Sequence, residues 1–282
     1  MAANTNSILN VKISPDPSFP KRGVKKISPF GKGGLKGDLK RTRLVCVLIA
    51  LATTVLVLSS AAEILPAQEK GVLFREDFRT LDDWKPVYFP KIKNHSVYTV
   101  GNDKGRRYLK TESHASASAI MYKDSFSVSE YPRARWRWKV DNVYVKGDAR
   151  TKEGDDYPIR VYVMFEYEPE RAETFEKMKY GLAKQLYGEY PPHSSLSYVW
   201  ANKDYPERTM KSPYTDRAMM VFLEKGRDKA GVWQEENVNI LEDYRKAFGA
   251  EPPARARIAI MNDSDNTGES SVSYVEYLEV HK

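Results

Sequence analysis

Thiol and imidazole are scarce in this sequence. Its 282 residues include one cysteine and four histidines. The cysteine, Cys46, lies inside an apolar run near the N-terminus, so everything after that run lacks a thiol, a disulfide and a cysteine–metal centre. The histidines are His95, His114, His193 and His281. None is within four residues of another, so a histidine metal site would need ligands gathered by the fold; each reads as an ordinary surface or packing residue. There is no His-Glu-x-x-His, Gly-x-Ser-x-Gly or Gly-x-Gly-x-x-Gly. Gly31-Lys-Gly-Gly-Leu-Lys-Gly37 lacks the terminal Gly-Lys-Ser/Thr of a phosphate loop, and no strand precedes it.

The net charge of +7 raises nucleic acid as a partner, but its distribution argues against one. Residues 1–62 hold ten of the 45 basic residues and two of the 38 acidic ones, which leaves 35 and 36 for residues 63–282. The globular part carries about −1 and has no bulk attraction for polyanions. Residues 1–43 are rich in Pro, Gly, Ser and Lys, the composition of a disordered basic tail.

The tail runs into Leu44–Ala62, 19 residues without a charge. As a helix they would span about 28 Å, close to a hydrocarbon core of ~30 Å. The basic flank predicts a cytoplasmic N-terminal side. Ser60-Ala61-Ala62 supplies small residues where a signal peptidase cuts. The segment is therefore expected to be a transmembrane anchor or a signal peptide. A buried core helix fits poorly, because no charged residue gives the run a solvent face. Residues 63–71 read as a linker, and 72–282 as a domain placed outside the cytoplasm.

In that domain short alternating runs recur between turn residues. Arg133–Asp141 is the clearest: Ala134, Trp136, Trp138 and Val140 alternate with Arg133, Arg135, Arg137, Lys139 and Asp141. Ile159–Tyr167 is apolar on both faces, as a central strand should be. Ser195–Ala201, Ala218–Leu223, Arg257–Met261 and Val272–Val280 add four more. Weaker runs lie at Val72–Phe78, Ser96–Val100, Arg107–Thr111 and Ala117–Tyr122. Roughly ten short strands in about 210 residues predict a mainly β, two-layer antiparallel, jelly-roll-like sandwich.

Two helices are expected as covers. Pro169–Gly188 places Phe175, Met178, Leu182 and Leu186 on one stripe. Asn239–Gly249 carries a capping residue, Glu242 three positions later, and a glycine exit; Leu241, Tyr244 and Phe248 would pack on the sandwich.

Two loops are dense in polar groups: Asp148–Pro158 and Asn262–Gly268. Loops on a rigid sheet are the usual seat of function. The candidate ligand-binding residues are Arg150, Lys152, Asp155, Asp156, Arg160, Trp200, Asp263, Asp265 and Asn266, expected to form one site at one end of the sandwich. Asp263-x-Asp265-x-Thr267-Gly268 begins like a calcium loop, but Tyr274 stands where an EF-hand needs Glu. A turn bonded to its own backbone competes with a calcium site on Asp263 and Asp265. Several carboxylates in proximity need cations. Ion pairs with Arg150, Lys152 and Arg160 are preferred over calcium, and Arg160, on a strand that reads as core, is expected to have a buried partner. The cationic face of Arg133–Lys139 reads as a solvated face neutralised by carboxylates, with an anion-binding groove as the alternative.

Four motifs in order carry a family resemblance: Trp136-Arg-Trp-Lys-Val-Asp-Asn142, Asp148-x-Arg-Thr-Lys-x-Gly-Asp-Asp-Tyr-Pro-x-Arg-Val-Tyr-Val-x-Phe165, Ser197-Tyr-Val-Trp200, and Ile258-Ala-Ile-Met-x-Asp-Ser-Asp-Asn-Thr-Gly268. From about Phe74 to Val280 the chain resembles the bacterial domain-of-unknown-function family 3047. It departs from the family in its basic tail and in a longer helical insertion around Glu170–Tyr190. The resemblance implies a bacterial, exported β-sandwich of the cell envelope and no established activity. The expected function is binding of an envelope or extracellular glycan. The alternatives are a polysaccharide lyase or glycosidase, which needs a convergent acid/base pair, and a structural envelope protein without a ligand.

Overall fold

In the computed structural model, residues 71–187 and 190–282 are described. The basic tail, the apolar run and all but the last residue of the linker lie outside them. Among the described residues no helix is long and apolar enough to cross a membrane.

Among the described residues fourteen strands form two sheets. The first has the order β12 (Gln234–Asn239), β7 (Arg133–Val140), β14 (Ser270–His281), β4 (Arg106–His114), β3 (Val97–Asp103), with β1 (Val72–Glu76) on the C-terminal half of β14. The second runs β10 (Thr209–Lys211), β11 (Ala218–Lys225), β9 (Ser194–Ala201), β8 (Arg160–Phe165), β13 (Arg255–Asp263), β5 (Ala117–Tyr122), β2 (Trp84–Val87), with β6 (Phe126–Ser127) against β13. The result is the jelly-roll-like sandwich the alternation predicts. One pair departs from the antiparallel pattern: β9 and β11 run parallel.

The alternating strand behaves as its sequence dictates. In β7 Ala134, Trp136, Trp138 and Val140 are buried. They meet the other sheet through Trp136 on Tyr198 (5.5 Å between centroids) and Trp138 on Trp200 (6.0 Å). The opposite face is neutralised locally. Arg135 grips the buried Glu279 through two bonds of 2.8 and 3.0 Å, Arg137 pairs with Glu276, and Lys139 lies over the Tyr274 ring at 4.2 Å. These contacts favour the neutralised face over an anion groove.

The strands missing from the sequence reading are those without alternation: β2 contains Pro86, β6 and β10 span two and three residues, and in β12 only Val238 is buried. The described residues contain two α-helices. α1 (Thr174–Tyr187) follows a 3-10 turn at Pro169–Arg171, and α2 (Ile240–Phe248) follows β12. In α2, Asn239 accepts from the Glu242 amide, and Gly249 takes the left-handed exit (φ 65°) with its N–H on Arg245 O. Tyr244 is buried, and Leu241 and Phe248 pack partly against the core.

α1 corrects an expectation. Its stripe does not cover the sandwich: Phe175, Met178 and Leu182 are 72%, 65% and 59% exposed. The Leu186 side chain lies outside the described residues. The helix is held instead by Tyr180, which stacks on Tyr167 at 3.8 Å, and by Glu176 on Arg217 at 2.8 Å. At about 100° per residue, Tyr180 points well over a right angle away from Leu182. One helix face cannot bury both.

Candidate functional site

The β4–β5 turn, the 141–158 connection and the turn before β14 come together at one end of the sandwich. Ser264 N–H donates to Ser116 O (2.8 Å), and Val145 and Lys146 N–H donate to the Glu269 carboxylate (3.0 and 2.8 Å). Asn202 ties in the second sheet, accepting from Tyr144 N and donating to Asp156 O at 2.6 Å.

The two polar loops predicted from sequence are joined here, chiefly through buried groups. Thr267 N–H and Asn266 Nδ2 donate to Asp156 at 2.6 and 3.2 Å. Tyr157 N–H donates to Asp263 at 3.2 Å. Arg160 pairs with Asp263 and stands 3.6 Å from Asp155. Burial works against the charge on Arg160, yet Tyr162, Asp155, Tyr157 and Asp156 hold its affinity for the proton above the ordinary value. Burial raises Asp155 and Asp265, with Asp156 adding to the shift in both. One oxygen each of Asp156, Asp263 and Asp265 lies within 4.8 Å of the others. Asp156 and Asp263 already accept the hydrogen bonds described above, so the cluster is built chiefly as a bonded structural element.

Other sequence candidates lie elsewhere. Trp200 is fully buried, with its indole N–H on Gly226 O at 3.1 Å, and offers no stacking face. Its place on the inward side of β9 makes it core. Arg150 and Lys152 are exposed and lie over the rings of Tyr205 (5.1 Å) and Tyr214 (5.4 Å). Arg160 is the cation seated between the carboxylates.

Beside this buried knot opens a cleft of about 510 Å³. Its walls include Asn94, His95, Glu112, His114, Asn142 and Ser270, with Val97 and Val272 between them. Its floor is a bonded polar network. Ser113 and Ser271 bond the Tyr144 hydroxyl at 2.8 and 2.6 Å, and Ser271 reaches Asn262 Oδ1 at 3.0 Å. Ser96 Oγ donates to Asn262 O at 2.6 Å. Burial pushes Tyr144 up to about 12, so it works as a neutral donor and acceptor. On the flank, the exposed Tyr88 ring lies 4.3 Å from His95. Asn142 Nδ2 donates to Ser270 O at 2.9 Å, and Lys110 pairs with Glu112 at 2.8 Å.

None of these cleft residues is a candidate on sequence alone, where His95 and His114 read as ordinary surface or packing side chains. Asn94, His114, Asn142 and Ser270 come from four separate stretches of chain. The β3–β4, β4–β14 and β7–β14 pairings, Val97 with Glu112, Ser270 with His114 and Ser273 with Val140, make them neighbours. The one local signal is the density of Asn, His and Ser at strand ends.

Fold and site define a two-sheet β-sandwich that presents an open cleft of mixed polar and apolar lining at one end. The chain belongs to the family described as "Protein of unknown function (DUF3047)", whose sequence pattern matches residues 82–279. No curated protein matches the sequence. Solved structures similar to it include a Bacillus subtilis protein of unknown function with a galectin-like fold (13% identity, TM-score 0.39, covering 76% of this chain and 97% of that one). The family 11 carbohydrate-binding module of the Clostridium thermocellum cellulase Lic26A-Cel5E is another (9%, 0.37, 75% and 94%). A third is the metal-free lectin I-B4 of Griffonia simplicifolia (10%, 0.35, 73% and 97%).

Proposed function

We propose that the domain binds a cell-envelope or extracellular glycan in the cleft between the 88–97 segment and the start of β14, and that it works outside the cytoplasm, tethered or exported through residues 44–62. The observation that carries this reading is the lining of the cleft. Amide, imidazole, hydroxyl and carboxylate groups face one open space over a floor of bonded serines. Sugars present many hydroxyls and need donors and acceptors held at fixed positions. The Tyr88–His95 pair supplies a ring surface for an apolar sugar face.

Binding is favoured over cleavage by the carboxylates. Hydrolysis by acid and base uses two at a set separation, whereas the cleft lining holds Glu112, itself paired to Lys110. The test is titration of the full chain with envelope and extracellular oligosaccharides, followed by Tyr88→Ala and Asn142→Ala. Each substitution should weaken binding about tenfold, the loss of roughly one good contact. Unchanged affinity in both variants, with the fold intact, sinks the assignment of the cleft.

A further inference from the structure

The outer face of the first sheet carries aromatic rings where water-facing strands ordinarily carry polar side chains. Along β4 and β14, Leu109, Thr111, Ser113, Ser271, Ser273 and Val275 are buried, so the residues alternating with them look outward. Strand pairing orders that face. Ser270 stands opposite His114, Val272 opposite Glu112, and Tyr274 opposite both Lys110 and Lys139. The first two pairs wall the cleft. The next step along the sheet is aromatic. Tyr274 meets Tyr108 at 5.4 Å and Trp233 at 6.2 Å between centroids, and all three rings are half-buried. Tyr108 lies across Gly101, its partner on β3, where a β-carbon would collide with the ring. Tyr274 is fixed by its hydroxyl, which donates to Asp141 at 2.9 Å, and by the Lys139 amine over its face at 4.2 Å. Rings held in this way lose little freedom when a ligand arrives. The charges beside them are matched: Lys139 with Asp141, Lys110 with Glu112, and Arg137 with Glu276.

We infer that the cleft and this aromatic row form one continuous site, which takes an uncharged polysaccharide chain rather than a single terminal sugar; this rests on the glycan reading of the cleft and extends it along the β4–β14 pair. Tyr108 is four residues from Glu112 on β4, about 14 Å along the strand. A ligand that fills both cleft and row therefore spans several sugar rings. Tyr and Trp supply rigid, amphipathic contact area, and the apolar faces of pyranose rings fit against it. Because the neighbouring charges are paired, recognition on the row falls to ring faces and hydroxyls, and a net charge on the chain gains little there. Cross-strand aromatic contacts also stabilise a sheet without any ligand, so binding itself has to separate the two roles.

The test uses the full chain and two lengths of probe, the disaccharides and hexasaccharides of cellulose, laminarin, xylan and chitin. Of the five tryptophans, Trp84, Trp136, Trp138 and Trp200 are at most 6% exposed, so acrylamide quenching reports Trp233. At least one hexasaccharide should bind about tenfold tighter than its disaccharide and should shield Trp233 from acrylamide, which the disaccharide should not do. By calorimetry, Tyr108→Ala and Trp233→Ala should each weaken that hexasaccharide about tenfold. Neither side chain belongs to the hydrophobic core, and melting curves check that each variant folds. A hexasaccharide bound no tighter than its disaccharide, with Trp233 still quenched, overturns the extension and leaves the cleft reading standing. Full hexasaccharide affinity in both folded variants does the same, and the rings then serve the sheet alone. Binding lost in Tyr108→Ala but untouched by Asn142→Ala puts the ligand on the row without the cleft, and overturns both the continuity and the cleft assignment. If no hexasaccharide binds, the inference fails, and the cleft reading stands or falls on the titration with envelope and extracellular oligosaccharides.

Discussion

Arg160 and Asp263 lie side by side on β8 and β13, and the guanidinium meets the carboxylate through both Nε and Nη2 while 95% or more of each side chain is shielded from water. The register of the two strands places Arg160 beside Met261, two residues before Asp263, at the point where both strands open into the polar loops. The pair therefore pins the end of the sandwich on which the cleft is built.

Removing the cation leaves Asp263 buried without it. Arg160→Ala should cost about 3–5 kcal/mol, as breaking a buried pair does. Arg160→Lys should fall between, since ammonium keeps the charge and loses the fork. Urea unfolding of the three proteins measures this; a loss under about 1 kcal/mol for the alanine variant would mean that the carboxylates are satisfied otherwise.

The same arrangement makes a statement about calcium. With Arg160 seated against Asp263, chelator should leave the melting temperature unchanged. A calcium site at a hundredfold excess over its Kd would add about 3 kcal/mol. A several-degree fall in chelator, restored by calcium and not by magnesium, would show that Asp156, Asp263 and Asp265 hold a metal and that the ion pair is secondary.

Glu236 sets a pH dependence. Burial raises it to about 7, Glu224 adds to the shift, and the Trp138 indole N–H at 3.1 Å opposes it. The folded protein keeps this proton where the unfolded chain has released it. Its contribution is full below about pH 4.5 and is lost as pH rises through 7. Glu236→Gln should remove that loss, worth on the order of 2 kcal/mol at pH 8. Parallel stability profiles for the two proteins between pH 5 and 8 would refute it.

The cap on α2 is a smaller and cleaner case. Asn239→Ala removes the acceptor for the Glu242 amide and should cost about 1 kcal/mol, while Asn239→Asp should be nearly neutral. Chemical denaturation separates the two.

The parts of this fold legible in sequence are those in which one strand or one helix end carries its own signal. β7 announced its buried face by strict alternation, and α2 announced its ends by Asn239 and Gly249. Arg160 stood out because a lone cation in a core strand needs an anion. α1 misled because periodicity reports an apolar face and says nothing of what covers it; here Tyr180 does the anchoring. Trp200 misled because an aromatic near a strand end can equally be core. The cleft was invisible for a different reason. His114 and Ser270 are 156 residues apart and meet only through strand pairing. The charged loops are conspicuous in sequence, but Asp156 is held by amide donors and Asp263 by Arg160 and the Tyr157 amide.

The most direct test of the central claim is hydrogen exchange of the full chain with and without a bound oligosaccharide. The account predicts slowed exchange in peptides covering 88–97, 112–116, 142–146 and 269–272, with no change across β9 or α2. Protection confined to another face, or no binding at millimolar concentrations of any envelope or extracellular oligosaccharide, would contradict it.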